Sequence, residues 1–138
     1  MAMTAEYTVQ GASVLLVDDN EINRRVGNEF LQSMGLAVRL ADSGEAAIAA
    51  CAAHPPAVVL MDLEMPGMTG LEAARHLREM QRAGRLSGFP IIALTAHEQR
   101  CHVVESTAAG MSGFLSKPLM LDALRRELGR WLPELSPA

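Results

Sequence analysis

Val58-Val59-Leu60-Met61-Asp62 is an apolar run that stops abruptly at a carboxylate. Leu63-Glu64-Met65-Pro66-Gly67-Met68-Thr69-Gly70 follows it and reads as a loop leading into a helix start. A short run of this kind, bounded by Pro55-Pro56 and Pro66-Gly67, suits a strand buried on both faces. Asp62 then stands at the strand's carboxyl end. In an open α/β sheet that is the edge where ligands bind.

Three more runs end in the same manner. Val14-Leu15-Leu16-Val17 ends in Asp18-Asp19, Ile91-Ile92-Ala93-Leu94 ends in Thr95, and Gly113-Phe114-Leu115-Ser116 ends in Lys117-Pro118. One polar ending means little, because every strand must end in something polar. Four endings with complementary chemistry (three carboxylates, one hydroxyl, one ammonium) point to a site.

Helical patterns separate the runs. Ile22, Val26, Phe30 and Met34 recur every four residues, which predicts a helix with one buried stripe, stopped at Gly35. Ala37-Val38-Arg39-Leu40-Ala41 alternates and reads as a half-exposed edge strand with Arg39 outward. Asp42-Ser43-Gly44-Glu45 opens an Ala-rich helix that Pro55-Pro56 closes. Thr69-Gly70-Leu71-Glu72 has the spacing of a capping box, and its helix runs to about Ala83 with Leu71, Ala74 and Leu77 inward. The segment Glu98–Ala109 reads as an exposed helix. Leu121, Leu124, Leu128 and Trp131 form a core stripe on the last helix, whose cap position holds Met120, a poor N-cap.

Strand and helix thus alternate five times, which predicts an α/β fold: a doubly wound (βα)5 domain with a five-stranded parallel sheet and helices on both faces. The alternating second strand and the short fifth strand are natural edges. That favours the flavodoxin-like order 2-1-3-4-5, with Asp18, Asp19 and Asp62 meeting at the switch point. The domain is expected to span 13–132, with 1–12 and 133–138 as tails.

The 138 residues fit one domain, and 49% apolar content with a net charge of −4 fits a globular chain. The mild acidity gives no electrostatic footprint for nucleic acid. No run has the length of a membrane span, and the amino end lacks the pattern of a signal peptide, so a cytoplasmic location is expected. Cys51 and Cys101 match no metal spacing and suit a reducing compartment. His54, His76, His97 and His102 form no metal set. His54, His76 and His102 read as surface residues.

Three clustered carboxylates are costly. At ~4 Å and an effective dielectric of ~20, each pair repels by roughly 4 kcal/mol. Lys117 supplies too little positive charge, so the cluster predicts a divalent metal, Mg²⁺ or Mn²⁺, which takes carboxylates, waters and a phosphoryl oxygen. A carboxylate can attack phosphorus to give an aspartyl phosphate. Lys117 can hold one phosphoryl oxygen and the Thr95 hydroxyl can donate to another. Each group alone has an ordinary reading, as a helix cap, a turn residue or a solvated side chain.

Val17-Asp18-Asp19-Asn20, Met61 to Gly70, Ile92-Ala93-Leu94-Thr95-Ala96 and Leu115-Ser116-Lys117-Pro118, in that order, resemble the receiver domain of two-component response regulators. The resemblance covers about Ser13 to Leu132. It implies that Asp62 is the phosphoacceptor and that Asp19 is a direct Mg²⁺ ligand. Asp18 acts largely through water, and the Glu64 backbone carbonyl completes the protein ligands. Thr95 resembles the switch hydroxyl and Lys117 the phosphate-binding lysine, with a cis bond to Pro118. Phe114 falls on the switch aromatic, where many members have tyrosine. Glu64 and His97 occupy positions that tune acyl-phosphate hydrolysis.

Asp18-Asp19-Asn20-Glu21-Ile22-Asn23 and Gly110 to Pro118 look most like receivers of hybrid sensor histidine kinases, and the loose tails agree with an excised domain. The expected partners are a histidine kinase domain and a histidine phosphotransfer protein, with the chain a monomer or weak dimer. A stand-alone single-domain regulator is the alternative. A haloacid-dehalogenase-type phosphatase is a remote one, because Glu64 stands where such enzymes carry a second aspartate and no cap domain is present. A receiver that binds partners without chemistry conflicts with the intact Asp18, Asp19, Asp62, Thr95 and Lys117. No output domain fits after Leu132.

Overall fold

The computed structural model describes residues 13–96, 107 and 109–133. Five strands and four helices lie among them: β1 Ser13–Val17, α1 Glu21–Ser33, β2 Ala37–Ala41, α2 Gly44–Ala53, β3 Val58–Asp62, α3 Gly70–Arg82, β4 Ile91–Thr95, β5 Gly113–Ser116 and α4 Leu121–Gly129. The sheet is parallel throughout, in the order β2-β1-β3-β4-β5. The expected Glu98–Ala109 helix, with His97, Cys101 and His102, falls outside the described residues except at Thr107 and Ala109.

The central strands are apolar without a break because both of their faces are covered. Their side chains alternate between two cores. Leu15, Val17, Val59, Met61, Ile91 and Ala93 meet Ala47 and Cys51 of α2 and Ala73, Ala74 and Leu77 of α3. Val14, Leu16, Val58, Leu60, Ile92 and Leu94 meet Leu31 of α1 and Leu124 and Leu128 of α4. Helices therefore flank both faces, as a doubly wound fold requires. Cys51 sits at the first of these interfaces, and burial pushes its thiol up to about 11, beyond the range of a reactive cysteine.

Local chemistry sets the element ends. Ser43 caps α2 by accepting from the Ala46 N–H at 3.1 Å. Thr69 and Glu72 form a full capping box on α3. Met120 offers α4 no side-chain cap. Gly35, at φ +82°, ends α1, and the N–H of Leu36 reaches back to Leu31 O. His54 and His76 are exposed. No helix among the described residues is long and apolar enough to cross a membrane.

Two sequence expectations are corrected. The buried stripe of α1 is Gly27 and Leu31, while Ile22 and Val26 are 68% and 41% exposed. A strict four-residue spacing drifts by about 40° at each step, so its first members turn towards solvent. On the edge strand, Leu40 rather than Arg39 is the outward residue. The Arg39 guanidinium donates to the carbonyls of Ala50 (3.1 Å) and His54 at the end of α2, where the helix dipole favours a cation.

Candidate functional site

Register carries the polar strand ends to one edge. Val17 pairs with Met61 and with Ala41, Asp62 with Leu94, and Thr95 with Ser116. The residues that follow stay tied to the sheet. The Asp18 N–H donates to Ala41 O at 3.1 Å, Leu63 N–H to Leu94 O at 3.0 Å, and Lys117 N–H to Thr95 O at 2.8 Å. The Lys117–Pro118 peptide bond is cis. Asp18, Asp62 and Thr95 are buried, whereas Asp19 and the Glu64 side chain are exposed. Phe114 is half-buried against the core that α2 and α3 cover. His97 falls outside the described residues.

The Lys117 ammonium bridges two carboxylates, 3.2 Å from Asp18 Oδ2 and 2.9 Å from Asp62 Oδ1. Asp18 Oδ1 also accepts from the Asn20 N–H at 2.9 Å, and Asp62 Oδ1 from the Glu64 N–H at 3.1 Å. Asp62 Oδ2 is buried and has no hydrogen-bond partner. Burial pushes the Asp62 carboxyl up from 3.8 to about 6; the Lys117 hydrogen bond opposes this and the Asp18 charge adds to it. Burial pulls the Lys117 ammonium down, but the Asp62 hydrogen bond and charge, with those of Asp18, outweigh it and leave its pKa raised.

Carboxylate oxygens of Asp18, Asp19 and Asp62 lie within 4.8 Å of one another. Lys117 is the one ammonium ion-paired with this cluster among the described residues. The arrangement retains excess negative charge and an orphaned buried oxygen, and all its donors are hard oxygens. Those properties fit Mg²⁺. They also fit a site built to take up a phosphoryl group, whose transfer depends mainly on positioning and charge neutralisation.

Residues 14–128 match the response regulator receiver domain family. The chain belongs to that family. The receiver is 41% identical over 122 residues to the sensor histidine kinase AruS of Pseudomonas aeruginosa, an alignment covering 88% of this chain and 12% of AruS. It spans between 10% and 15% of the length of the sensor kinases and sensor proteins it matches. Among solved structures, the receiver domain of sensor histidine kinase PA1611 from Pseudomonas aeruginosa superposes with a TM-score of 0.78 at 34% identity, covering 89% of this chain and 98% of that one. That structure has a magnesium ion coordinated in its active site cleft. A co-crystal structure of the Saccharomyces cerevisiae histidine phosphotransfer protein Ypd1 with the receiver domain of Ssk1 matches with a TM-score of 0.83 at 27% identity, covering 91% and 92%.

The structure brings together Asp18, Asp19, Asp62, Thr95 and Lys117, all named from the sequence. It adds Arg24, which the sequence reading passed over. Its guanidinium donates to the Asp18 backbone carbonyl at 2.7 Å. The available signal was a cation in the first turn of a helix, where the macrodipole disfavours positive charge.

Proposed function

We propose that the receiver accepts a phosphoryl group on Asp62 from a phosphohistidine and passes it on as a step of a phosphorelay, as part of a hybrid histidine kinase. The observation that carries this reading is the unpartnered buried oxygen of Asp62, held beside Lys117 and two further carboxylates. One Asp62 oxygen attacks phosphorus and forms the O–P bond as the P–N bond breaks, and the bonding pair stays on the imidazole nitrogen. Lys117 holds a phosphoryl oxygen and offsets its charge. The Thr95 hydroxyl donates to another, and Phe114 follows Thr95 inward.

Asp18, Asp19, Asp62 and the Glu64 carbonyl would hold the metal, Mg²⁺ or in its place Mn²⁺, which supplies the remaining charge neutralisation when bound. The receiver unit spans 13–132. It acts in the cytoplasm, as a monomer or weak dimer, on a histidine kinase domain and a histidine phosphotransfer protein. The sequence identity to sensor histidine kinases such as AruS supports the hybrid-kinase origin over a stand-alone regulator.

Intact mass after incubation with acetyl phosphate tests the reading. A single phosphoryl adduct that forms with Mg²⁺ and not with EDTA is expected. An unmodified chain after incubation with both acetyl phosphate and a phosphorylated phosphotransfer protein sinks it. Glu64 and His97 tune the life of that adduct. Glu64→Ala is expected to change its decay rate several-fold, because the exposed carboxylate two residues from Asp62 acts on the attacking water; equal decay rates in the two proteins refute that role.

A further inference from the structure

We infer that Arg24 is a positioning residue of the acidic site, fixing the Asp18–Asp19 peptide and through it the aim of the Asp19 carboxylate. The inference rests on the proposed metal-binding reading. Asp19 is exposed, so packing does not set its direction, and the backbone that carries it must. Each of the three successive peptide units around it makes a hydrogen bond that fixes it. The Val17–Asp18 unit donates through the Asp18 N–H to Ala41 O at 3.1 Å. The Asp19–Asn20 unit donates through the Asn20 N–H to Asp18 Oδ1 at 2.9 Å. The Asp18–Asp19 unit between them accepts from Arg24 Nη1 at 2.7 Å. Arg24 is the sole side chain from outside the loop among these three.

Helix geometry explains why position 24 can do this. The Arg24 N–H bonds to Asn20 O at 3.0 Å, so the residue lies in the first full turn of α1. Side chains on a helix lean back towards its N-terminus, which here is the Asp18–Asn20 loop. A cation at that end opposes the macrodipole, so its placement has a local cost that another interaction must offset. Neutralisation of the carboxylates is not that interaction: among the described residues the ion pairs of Asp18 and Asp62 are with Lys117, and Arg24 makes none. Its contact is to a neutral carbonyl.

The two roles of a cation here predict opposite signs. If Arg24 acted by charge alone, removing it would tighten Mg²⁺ binding. If it positions Asp19, removing it weakens binding, as loss of an outer-shell partner commonly does by about 10–100-fold. The test is calorimetric titration of the full chain with MgCl2, for wild type, Arg24→Met, Arg24→Lys and Arg25→Met. Arg25 is the exposed neighbour of equal charge. The expected result is Mg²⁺ affinity about tenfold weaker in Arg24→Met, partly restored in Arg24→Lys, and unchanged in Arg25→Met. The amide resonance of Asp19 should shift in Arg24→Met while far-UV circular dichroism stays that of wild type. If Arg24→Met fails to fold, Arg24→Lys carries the comparison, since it keeps the charge and loses the planar fork. Binding by either Arg24 variant as tight as that of Arg25→Met overturns the inference. Absence of Mg²⁺ binding by wild type overturns the metal-site reading instead.

Discussion

Asp62→Asn is expected to take up no phosphoryl group and, in metal-free buffer at pH 7–8, to unfold at a higher temperature than wild type. The first effect follows from the proposed role of Asp62, whose attacking oxygen the substitution removes. The second follows from electrostatics. Asp62 is 1% exposed, its Oδ2 lacks a partner, and its carboxyl is raised from 3.8 to about 6, first by burial and then by the Asp18 charge. A folded-state pKa above the unfolded one means that the folded chain holds the proton more tightly. That contribution is fully present below pH ~4 and is lost as pH rises through about 6, a swing on the order of 3 kcal/mol.

Asparagine avoids the ionised form. Its carbonyl still accepts from Lys117 and from the Glu64 N–H, and its amide can donate towards Asp18 and Asp19. Weakening the charge-assisted bond to Lys117 offsets part of the gain, so a net increase of about 1–2 kcal/mol is expected. Thermal melts of both proteins with EDTA, from pH 4 to 8, measure it. The gap should narrow as pH falls from 6 towards 4, where the folded form of wild type is already protonated and the unfolded carboxyl is starting to take up its proton. It should also narrow in saturating Mg²⁺, which stabilises wild type by mass action. A lower melting temperature for Asp62→Asn at pH 7–8 without metal would show that Lys117 already compensates the buried charge.

The strands were legible because each central strand is apolar without interruption and ends at a chemically distinct residue. Val58–Asp62 and Ile91–Thr95 are buried at every position, and the corresponding sequence runs carry no polar residue before the last. The site was legible for the same reason, since the edge of a parallel sheet collects whatever ends its strands. The face of α1 was not, because its buried stripe contains Gly27. Hydropathy gives no signal for a glycine there, yet a Cβ at that position would meet Leu16 Cδ2 at 2.6 Å. Contacts made by arginine to distant carbonyls were equally silent. Arg78 on α3 donates to Gly110 O at 2.8 Å, Phe89 O at 2.7 Å and Ser112 Oγ at 3.2 Å, tying the helix to the entries of β4 and β5. No local pattern encodes partners 11 to 34 residues away. Arg24 and Arg39 belong to the same class: a cation whose partner is backbone leaves no complementary charge in the sequence.

Gly70→Ala is expected to be the most damaging glycine-to-alanine change among the described residues, costing about 3 kcal/mol of stability and slowing phosphoryl uptake by about 100-fold. Gly70 is the first residue of α3 and lies directly over the end of β3, its N–H donating to Leu63 O at 3.2 Å. A Cβ there would stand 2.1 Å from Asp62 O and 2.9 Å from Leu63 Cα. Both are backbone atoms, so no rotamer change relieves the overlap. Either α3 lifts from the strand, loosening Ala73, Ala74 and Leu77 in the core, or the Asp62 carbonyl turns and carries its carboxylate away from Lys117. Because a displacement near 1 Å at a reacting group can cost about two orders of magnitude in rate, the chemical defect should exceed what partial unfolding explains. Gly44→Ala is the matched control. Its added Cβ would stand 2.8 Å from the Met68 Cγ and Sδ, atoms of a flexible side chain that can move aside. Denaturant melts and acetyl phosphate kinetics on the two variants separate the cases, and a Gly70→Ala protein within about 1 kcal/mol of wild type would mean that the loop after Asp62 yields more easily than a backbone contact allows.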